Sequence, residues 1–281
     1  MKMKLYAKIT TKNPAKFKRL VGISQENFNK VVDWLKSYQA EIKKHNPQKR
    51  RGLNTSKVSL QDRVLLTFYY LRHYPTFDNL ASIFNISESY CQKIYTKTVR
   101  MLAKILKLPS RKELLIKGFE TLIIDVSEQR IERPLKHQKA FYSGKKHYHT
   151  IKAQLIICAL TLRILSVAMG KGRQHDFALF KASRLLLDPN SQLLADSGYQ
   201  GIVKYHEKST IPFKKKKGQS LTIEEKAHNK ALSKKRILIE NVNRQCKIFR
   251  IVKDVYRGKH KNYGLNWHLI AAIVNLRYAA L

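Results

Sequence analysis

Three carboxylates are placed where metal-assisted chemistry on a phosphodiester would need them: Asp125, Asp196 and Glu240. They stand out because acids are scarce, with 19 Asp+Glu against 56 Lys+Arg in 281 residues. Asp125 closes the apolar run Thr121–Ile124, and Asp196 closes Gln192–Ala195. Glu240 ends the stretch Lys235–Glu240, whose pattern is helical. Carboxylate oxygens suit a hard cation such as Mg²⁺ that also binds substrate phosphate. Mn²⁺ is expected to substitute for it.

The spacing says how these groups must be brought together. Asp125 and Asp196 are 71 residues apart, and Glu240 lies a further 44 along the chain. Such separations exclude a local loop site. They fit two adjacent strands of one sheet with a helix crossing their ends. Three carboxylates in one place repel each other and are poorly tolerated without a counter-cation. In two-metal sites, paired ions stabilise both the attacking and the leaving oxygen.

Charge points to the substrate. A net charge of +37 favours polyanions and speeds their capture. Double-stranded DNA is the expected partner. A membrane surface is disfavoured because no basic amphipathic helix stands alone. The N-terminus lacks the apolar stretch of a signal peptide. The longest apolar run, Leu155–Leu160, is far too short to span a bilayer. Cys91, Cys158 and Cys246 are widely separated, with neither zinc spacing nor a disulfide framework. They read as small core residues in a reducing cytoplasm. The expected location is cytoplasmic.

The chain divides into three expected segments. Residues 1–57 form a basic helical segment and linker, in which Phe28, Val31, Val32, Leu35, Tyr38 and Ile42 recur at helical spacing after a Ser24 cap. The linker runs from His45 to Gly52. Residues 58–110 read as all helix: Leu60–Tyr74, then Phe77–Phe84, then a third helix from Ser87 to about Lys107. Asn85 supplies the left-handed turn between the second and third helices. The string Leu80–Ser87 has the makeup of a helix-turn-helix core. In the third helix Tyr90, Ile94, Met101, Leu102 and Ile105 are the expected buried stripe. Gln92, Lys93, Thr96, Lys97 and Arg100 are the exposed face that a recognition helix would offer the major groove. An ordinary helical hairpin is the alternative.

Residues 115–281 change character. Strands are expected at Thr121–Val126, His147–Ala159, Leu162–Met169, Leu193–Ala195 and Thr210–Phe213. Helices are expected at His175–Leu187, Ile202–His206, Ile223 to about Lys253, and Tyr263–Tyr278. A basic loop begins at Lys214–Lys217. The fold class is therefore α/β: an RNase H-like mixed sheet flanked by helices and preceded by an all-helical, helix-turn-helix region.

Four blocks carry a family resemblance: Asp125–Pro134, Tyr142–Gln154, Ala195–Gly201 and Arg236–Lys253. In these the chain resembles DDE-superfamily transposases of bacterial insertion sequences, in the group named after insertion sequence five. The resemblance covers most of the chain. It implies an RNase H-like catalytic domain, divalent-metal catalysis, and cleavage and joining of DNA at the element's terminal inverted repeats. Assembly as a homo-oligomer on DNA, with terminal-repeat and target duplexes as partners, goes with it. By residue it assigns Asp125 and Asp196 as the aspartates and Glu240 as the glutamate. The wider class carries a helical signature of Tyr, Arg, Glu and Lys. Arg236, Glu240 and Lys247 match its spacing, with Arg244 between them, and Ser233 replaces the Tyr. Arg236, Arg244 and Lys247 would bind DNA phosphate, or form a solvated basic face.

Two rival functions fit the same residues: a domesticated endonuclease of the same fold, and a non-catalytic helix-turn-helix regulator. Other candidates read more simply. His175 and Asp176, after Lys171–Gln174, resemble a His-Asp pair of the same family; Asp176 would help the site or, more simply, cap the next helix. Glu128 and Glu132 read as ion-pair partners of Arg130 and Arg133. His147 and His149 lack a third ligand at zinc spacing. Trp34 and Trp267 read as core. No Gly-rich phosphate loop is present.

Overall fold

The computed structural model describes residues 5–6, 13–45, 58–116, 118–215 and 218–278. Most of the 45–52 linker, residues 53–57 and Lys216–Lys217 lie outside the described residues. The chain divides into two units, Met1–Lys107 with Ile248–Ile251, and Leu108–Lys247 with Val252–Leu281.

The first unit is helical. Helix α1, Pro14–Val21, starts where the Asn13 side chain accepts from the Ala15 amide and Pro14 occupies the first turn. It stops at Gly22, whose φ of 88° is left-handed. A side chain there would also run into the Phe249 ring, 2.6 Å from the position of its Cβ. Helix α2, Gln25–His45, buries Phe28, Val31, Val32 and Leu35, and Ser24 Oγ accepts from the Asn27 amide at 3.2 Å. The buried stripe ends there: Tyr38 is half-buried and Ile42 exposed. Trp34, expected in the core, is 44% exposed because it sits off the stripe that α2 turns inward.

Helices α3 (Leu60–His73), α4 (Phe77–Phe84) and α5 (Glu88–Ile105) follow the expected boundaries closely. Ser59 and Thr76 cap α3 and α4 through their hydroxyls. Asn85 takes the left-handed conformation at φ 48°, and the Ile86 amide closes the turn onto Ala81. The buried face of α5 differs from the expected one. Cys91, Ile94, Thr98, Val99 and Leu102 are buried, while Tyr90, Met101 and Ile105 are half-buried. Helix α5 packs against α2, α3 and α4 together, so its buried stripe is centred by three neighbours rather than by apolar content alone.

The second unit is built on a mixed sheet. After the short α6, Arg111–Ile116, strand β1 runs Thr121–Arg130. Helix α7 (Gln138–Phe141) and strand β2 (Tyr142–Ser143) lead into β3 (Tyr148–Cys158) and β4 (Ile164–Lys171). Helix α8 (Asp176–Ser183), strand β5 (Gln192–Leu194) and strand β6 (Ser209–Thr210) follow. Helices α9 (Ile223–Lys247) and α10 (Tyr263–Asn275) complete the unit. Strand β3 pairs antiparallel with β1, β2 and β4, while β1 to β5 and β5 to β6 are parallel. Three antiparallel strands extended by two parallel ones is the RNase H-like arrangement read from the sequence.

Each sheet face has its own cover. Leu122, Ile124, Ile156, Leu193 and Tyr199 join Phe180 of α8 in one core. Helix α10 packs on β4 and α9 on β1. Buried Asn275 of α10 exchanges two 2.8 Å bonds with the backbone of Ile164, satisfying the start of β4. Trp267 is fully buried, as expected.

Strand β1 is longer than its apolar run. It continues through Ser127 and Gln129, which are buried although polar. The Gln129 amide reaches the Asp254 carbonyl at 2.6 Å. Asp125 therefore lies in the middle of a strand and not at its end.

Candidate active site and DNA-binding face

The sheet register brings the two aspartates together. Ile123 lies beside Leu194 in the parallel β1–β5 pair. Asp125 is two residues past Ile123, and Asp196 two past Leu194, so both stand at one level, Asp125 within β1 and Asp196 just past the end of β5. Asp196 Oδ1 accepts from the Gly198 amide at 2.8 Å, which turns the chain off the strand. The left-handed residue in that turn is Gly201, at φ 88°. Gly198 is needed for room instead: a Cβ there would lie 3.0 Å from both Asp196 Oδ1 and Asp176 Oδ2.

Helix α9 grips Asp125 from the other side. Asn243 Nδ2 donates to Asp125 Oδ2 at 2.9 Å, and Arg236 Nη2 lies 3.5 Å from Oδ1. Residues 236, 240 and 243 share a helix face, seven residues spanning nearly two turns. Glu240 lies on that face but is exposed, and it does not line the groove described below. Among the described residues, no three His, Cys, Asp or Glu side chains converge closely enough to hold a metal as they stand. Of the other predicted phosphate contacts, Arg244 is exposed and Lys247 half-exposed at the end of α9.

Burial raises the Asp125 carboxyl to about 6. Arg236 opposes that shift, and the nearby Asp196 and Asp176 add to it. Beneath them, Tyr199 is held neutral by burial, reinforced by the same three aspartates. Two polar atoms beside Asp125 are buried without hydrogen-bond partners, Asn243 Oδ1 and Arg236 Nε. Unsatisfied buried polar atoms are costly. Crowded carboxylates, an orphaned amide oxygen and an all-oxygen donor set fit a hard divalent cation.

These carboxylates form the floor of a groove of about 1110 Å³. Its walls carry Arg133, Lys139, Lys145 and Arg173. Acid at the centre and base around it suits a phosphodiester backbone laid across a metal site. His149 also lines the groove, edge-on to Tyr142 at 5.7 Å. The expected ion pairs near Asp125 are replaced by other bonds. Glu128 accepts from Thr150 Oγ1 at 2.5 Å, Arg133 donates to Gln138 at 3.0 Å, and Arg130 lies over the Tyr148 ring.

Two residues at the site, Asn243 and Lys152, are not legible in the sequence, and a third, Asp176, has two readings there, a helper of the site or a helix cap. Asn243 gave no signal beyond its place three residues after Glu240. Lys152 sits in an apolar strand, with its ammonium 2.9 Å from Asp176 Oδ1 and 2.7 Å from the Gln174 carbonyl. Asp176 is not the cap of α8. His175 holds that position without a side-chain bond, and Asp176 turns into the groove.

In the helical unit, Lys93, Lys97 and Arg100 are exposed along α5. With Gln92, Thr96 and Met101 they line a shallow concavity of about 420 Å³. This is the exposed polar face that the sequence of α5 leads one to expect.

An RNase H-like sheet with paired aspartates in a basic groove, on a chain that also carries a helix-turn-helix, defines a class of DNA-acting proteins. Residues 124–275 match the family model of the DDE superfamily endonuclease. Residues 56–108 match the helix-turn-helix of DDE superfamily endonuclease. The chain is 41% identical over 268 residues to the probable transposase for insertion sequence element IS702 of Microchaete diplosiphon, covering 94% of this chain and 95% of that one. It is 25% identical over 252 residues to the protein assigned as a transposase for insertion sequence element IS112 in Streptomyces albus G, covering 88% and 89%. The chain belongs to the transposases of the DDE superfamily. Among its described residues, no helix is long and apolar enough to cross a membrane.

Proposed function

We propose that this transposase cleaves DNA at the terminal inverted repeats of an insertion sequence and joins the freed ends to target DNA at one active site. The observation that carries this reading is the pairing of Asp125 and Asp196 by the β1–β5 register at the floor of a basic groove. Asp125, Asp196 and Glu240 would hold the Mg²⁺ or Mn²⁺ ions. When bound, such ions act as Lewis acids on the attacking and leaving oxygens.

The chain's own residues account for the rest. Asn243 and Arg236 fix the orientation of Asp125. Arg236 can turn its unpartnered Nε toward a substrate phosphate, and guanidinium matches phosphate in a forked geometry. The groove lysines and arginines hold the backbone that carries the scissile bond. Glu240, on the face it shares with Arg236 and Asn243, would need a change of rotamer to reach the site. In the helical unit, Lys93, Lys97 and Arg100 hold the duplex by its phosphates while α5 presents its polar face to the major groove. Assembly as a homo-oligomer would let two element ends be processed together.

A labelled terminal-repeat duplex tests this, scored for nicking and strand transfer with Mg²⁺, Mn²⁺ or EDTA. Asp196→Asn and Glu240→Gln should each abolish both reactions while a gel shift stays unchanged. Cleavage in EDTA, or wild-type cleavage by either variant, would sink the reading for that residue.

A further inference from the structure

We propose that Asp176 is a further carboxylate of the metal site, held in position by Lys152. The inference rests on the metal-dependent reading above and deepens it. Asp176 opens helix α8, on a different element from Asp125, Asp196 and Glu240. Its two oxygens have different surroundings. Oδ1 takes the Lys152 ammonium at 2.9 Å. Oδ2 faces Gly198 and, across it, Asp196 Oδ1. Both oxygens lie 3.0 Å from the Cβ position of Gly198, which limits their separation to at most twice that distance. Only a residue without a side chain leaves that space open.

Lys152 makes this arrangement sustainable. Its side chain is 12% exposed and that of Asp176 25%. The ammonium is also bound to the Gln174 carbonyl at 2.7 Å, so two bonds fix its direction. A buried cation of this kind neutralises one carboxylate and lets others stay ionised nearby. A carboxylate has acceptor capacity on both oxygens. With Oδ1 engaged, Oδ2 is left to coordinate beside Asp196. The orphaned Oδ1 of Asn243, a residue 6% exposed and bonded to Asp125, is a separate sign that a donor-hungry ion belongs here. Lys152 is a positioning residue in this scheme, acting only through Asp176.

The test uses the full chain and Mn²⁺ alone, with binding followed by electron paramagnetic resonance and calorimetry. Asp176→Asn should weaken Mn²⁺ binding about 10–100-fold, the range typical of altered metal surroundings. The double variant Asp176→Asn, Lys152→Met removes the ion pair without leaving a buried charge. It should recover the wild-type melting temperature yet keep the weakened Mn²⁺ affinity. If the pair is only structural, the double variant regains both, and the proposal is overturned. Wild-type Mn²⁺ affinity in Asp176→Asn overturns it as well. Asp125→Asn is the control for the underlying reading. If that variant also binds Mn²⁺ normally, the groove is not the metal site. If Asp125→Asn loses Mn²⁺ while Asp176→Asn keeps it, only the role of Asp176 fails.

Discussion

Replacing Asp125 with asparagine should end catalysis and yet stabilise the metal-free protein. The carboxyl is pushed up to about 6, from an ordinary value of 3.8. A tenfold change in proton affinity is worth about 1.4 kcal/mol, so the ionised group costs the fold about 3 kcal/mol at neutral pH. Asparagine mimics the protonated acid but offers only one acceptor to the two donors, Arg236 and Asn243. The loss of one such bond takes back about 1 kcal/mol, leaving a gain of about 2 kcal/mol. The pH dependence has a definite sign. Below about pH 4 the carboxyl is protonated in both folded and unfolded chains, and only the lost bond remains, so the variant should be less stable than wild type by about 1 kcal/mol. Between about pH 4 and 6 the unfolded chain gives up its proton while the folded one keeps it. Wild-type stability therefore falls relative to the variant, and above about pH 6 the gap is constant. Urea unfolding in EDTA at pH 4, 5 and 7.5 measures this. Saturating Mg²⁺ should reverse the order, since a hundredfold excess over the dissociation constant adds about 2.7 kcal/mol to the wild type alone. A variant less stable than wild type in EDTA at pH 7.5, or a gap independent of pH, would refute the reasoning.

Three other outcomes follow from the same surfaces. DNA affinity should fall roughly 10³–10⁵-fold between 50 and 200 mM salt if about 6–10 phosphates are contacted, as read by fluorescence anisotropy; a salt-independent affinity would contradict the electrostatic reading. Lys93→Ala with Arg100→Ala should lower the salt slope by about two and weaken terminal-repeat binding with the fold intact. Unchanged binding would return α5 to a purely structural role. Arg236→Ala should slow cleavage by roughly 10²-fold, the scale for losing one donor at a developing charge, with normal gel shifts. Wild-type turnover would mark Arg236 as only a counter-charge to Asp125.

Where the sequence spoke clearly, local chemistry and periodicity were enough. Asp125 and Asp196 were visible because two rare acids end two apolar runs. The α4–Asn85–α5 turn was visible because Asn is among the few residues that enter the left-handed region readily. What was not legible depends on distant partners. Strand β1 runs on to Arg130 because Gln129 finds the Asp254 carbonyl, 125 residues away. Asp176 looked like a cap because an acid opens its helix, and only Lys152, 24 residues upstream, shows that it turns into the groove. Asn243 is one of many polar residues on α9, and nothing local marks it as the residue that grips Asp125. Trp34 is exposed because the buried stripe of α2 passes it by, and aromatic character alone does not imply burial.

The charge of the whole chain and the charge of the site act in opposite directions on Asp125. A net charge of +37 should favour every ionised carboxylate, and Arg236 lies against this one. The Asp125 carboxyl nonetheless moves up, so desolvation and its neighbouring aspartates outweigh both. Screening explains why the distant lysines do little. Exposed charges more than about 8 Å away are largely hidden at physiological ionic strength. The surface charge can therefore attract polyanions without offsetting the charge of the groove's carboxylates. Lys152 pairs with Asp176 and Arg236 touches Asp125, but Asp196 and Asp176 still raise the proton affinity of Asp125. In the proposed site a divalent ion would meet that residual demand where a further lysine would not. It takes several carboxylate oxygens at once and keeps positions open for phosphate. On the proposed function the two roles of charge separate: the lysines and arginines would set how strongly DNA is held, and the acids of the groove which cation is bound.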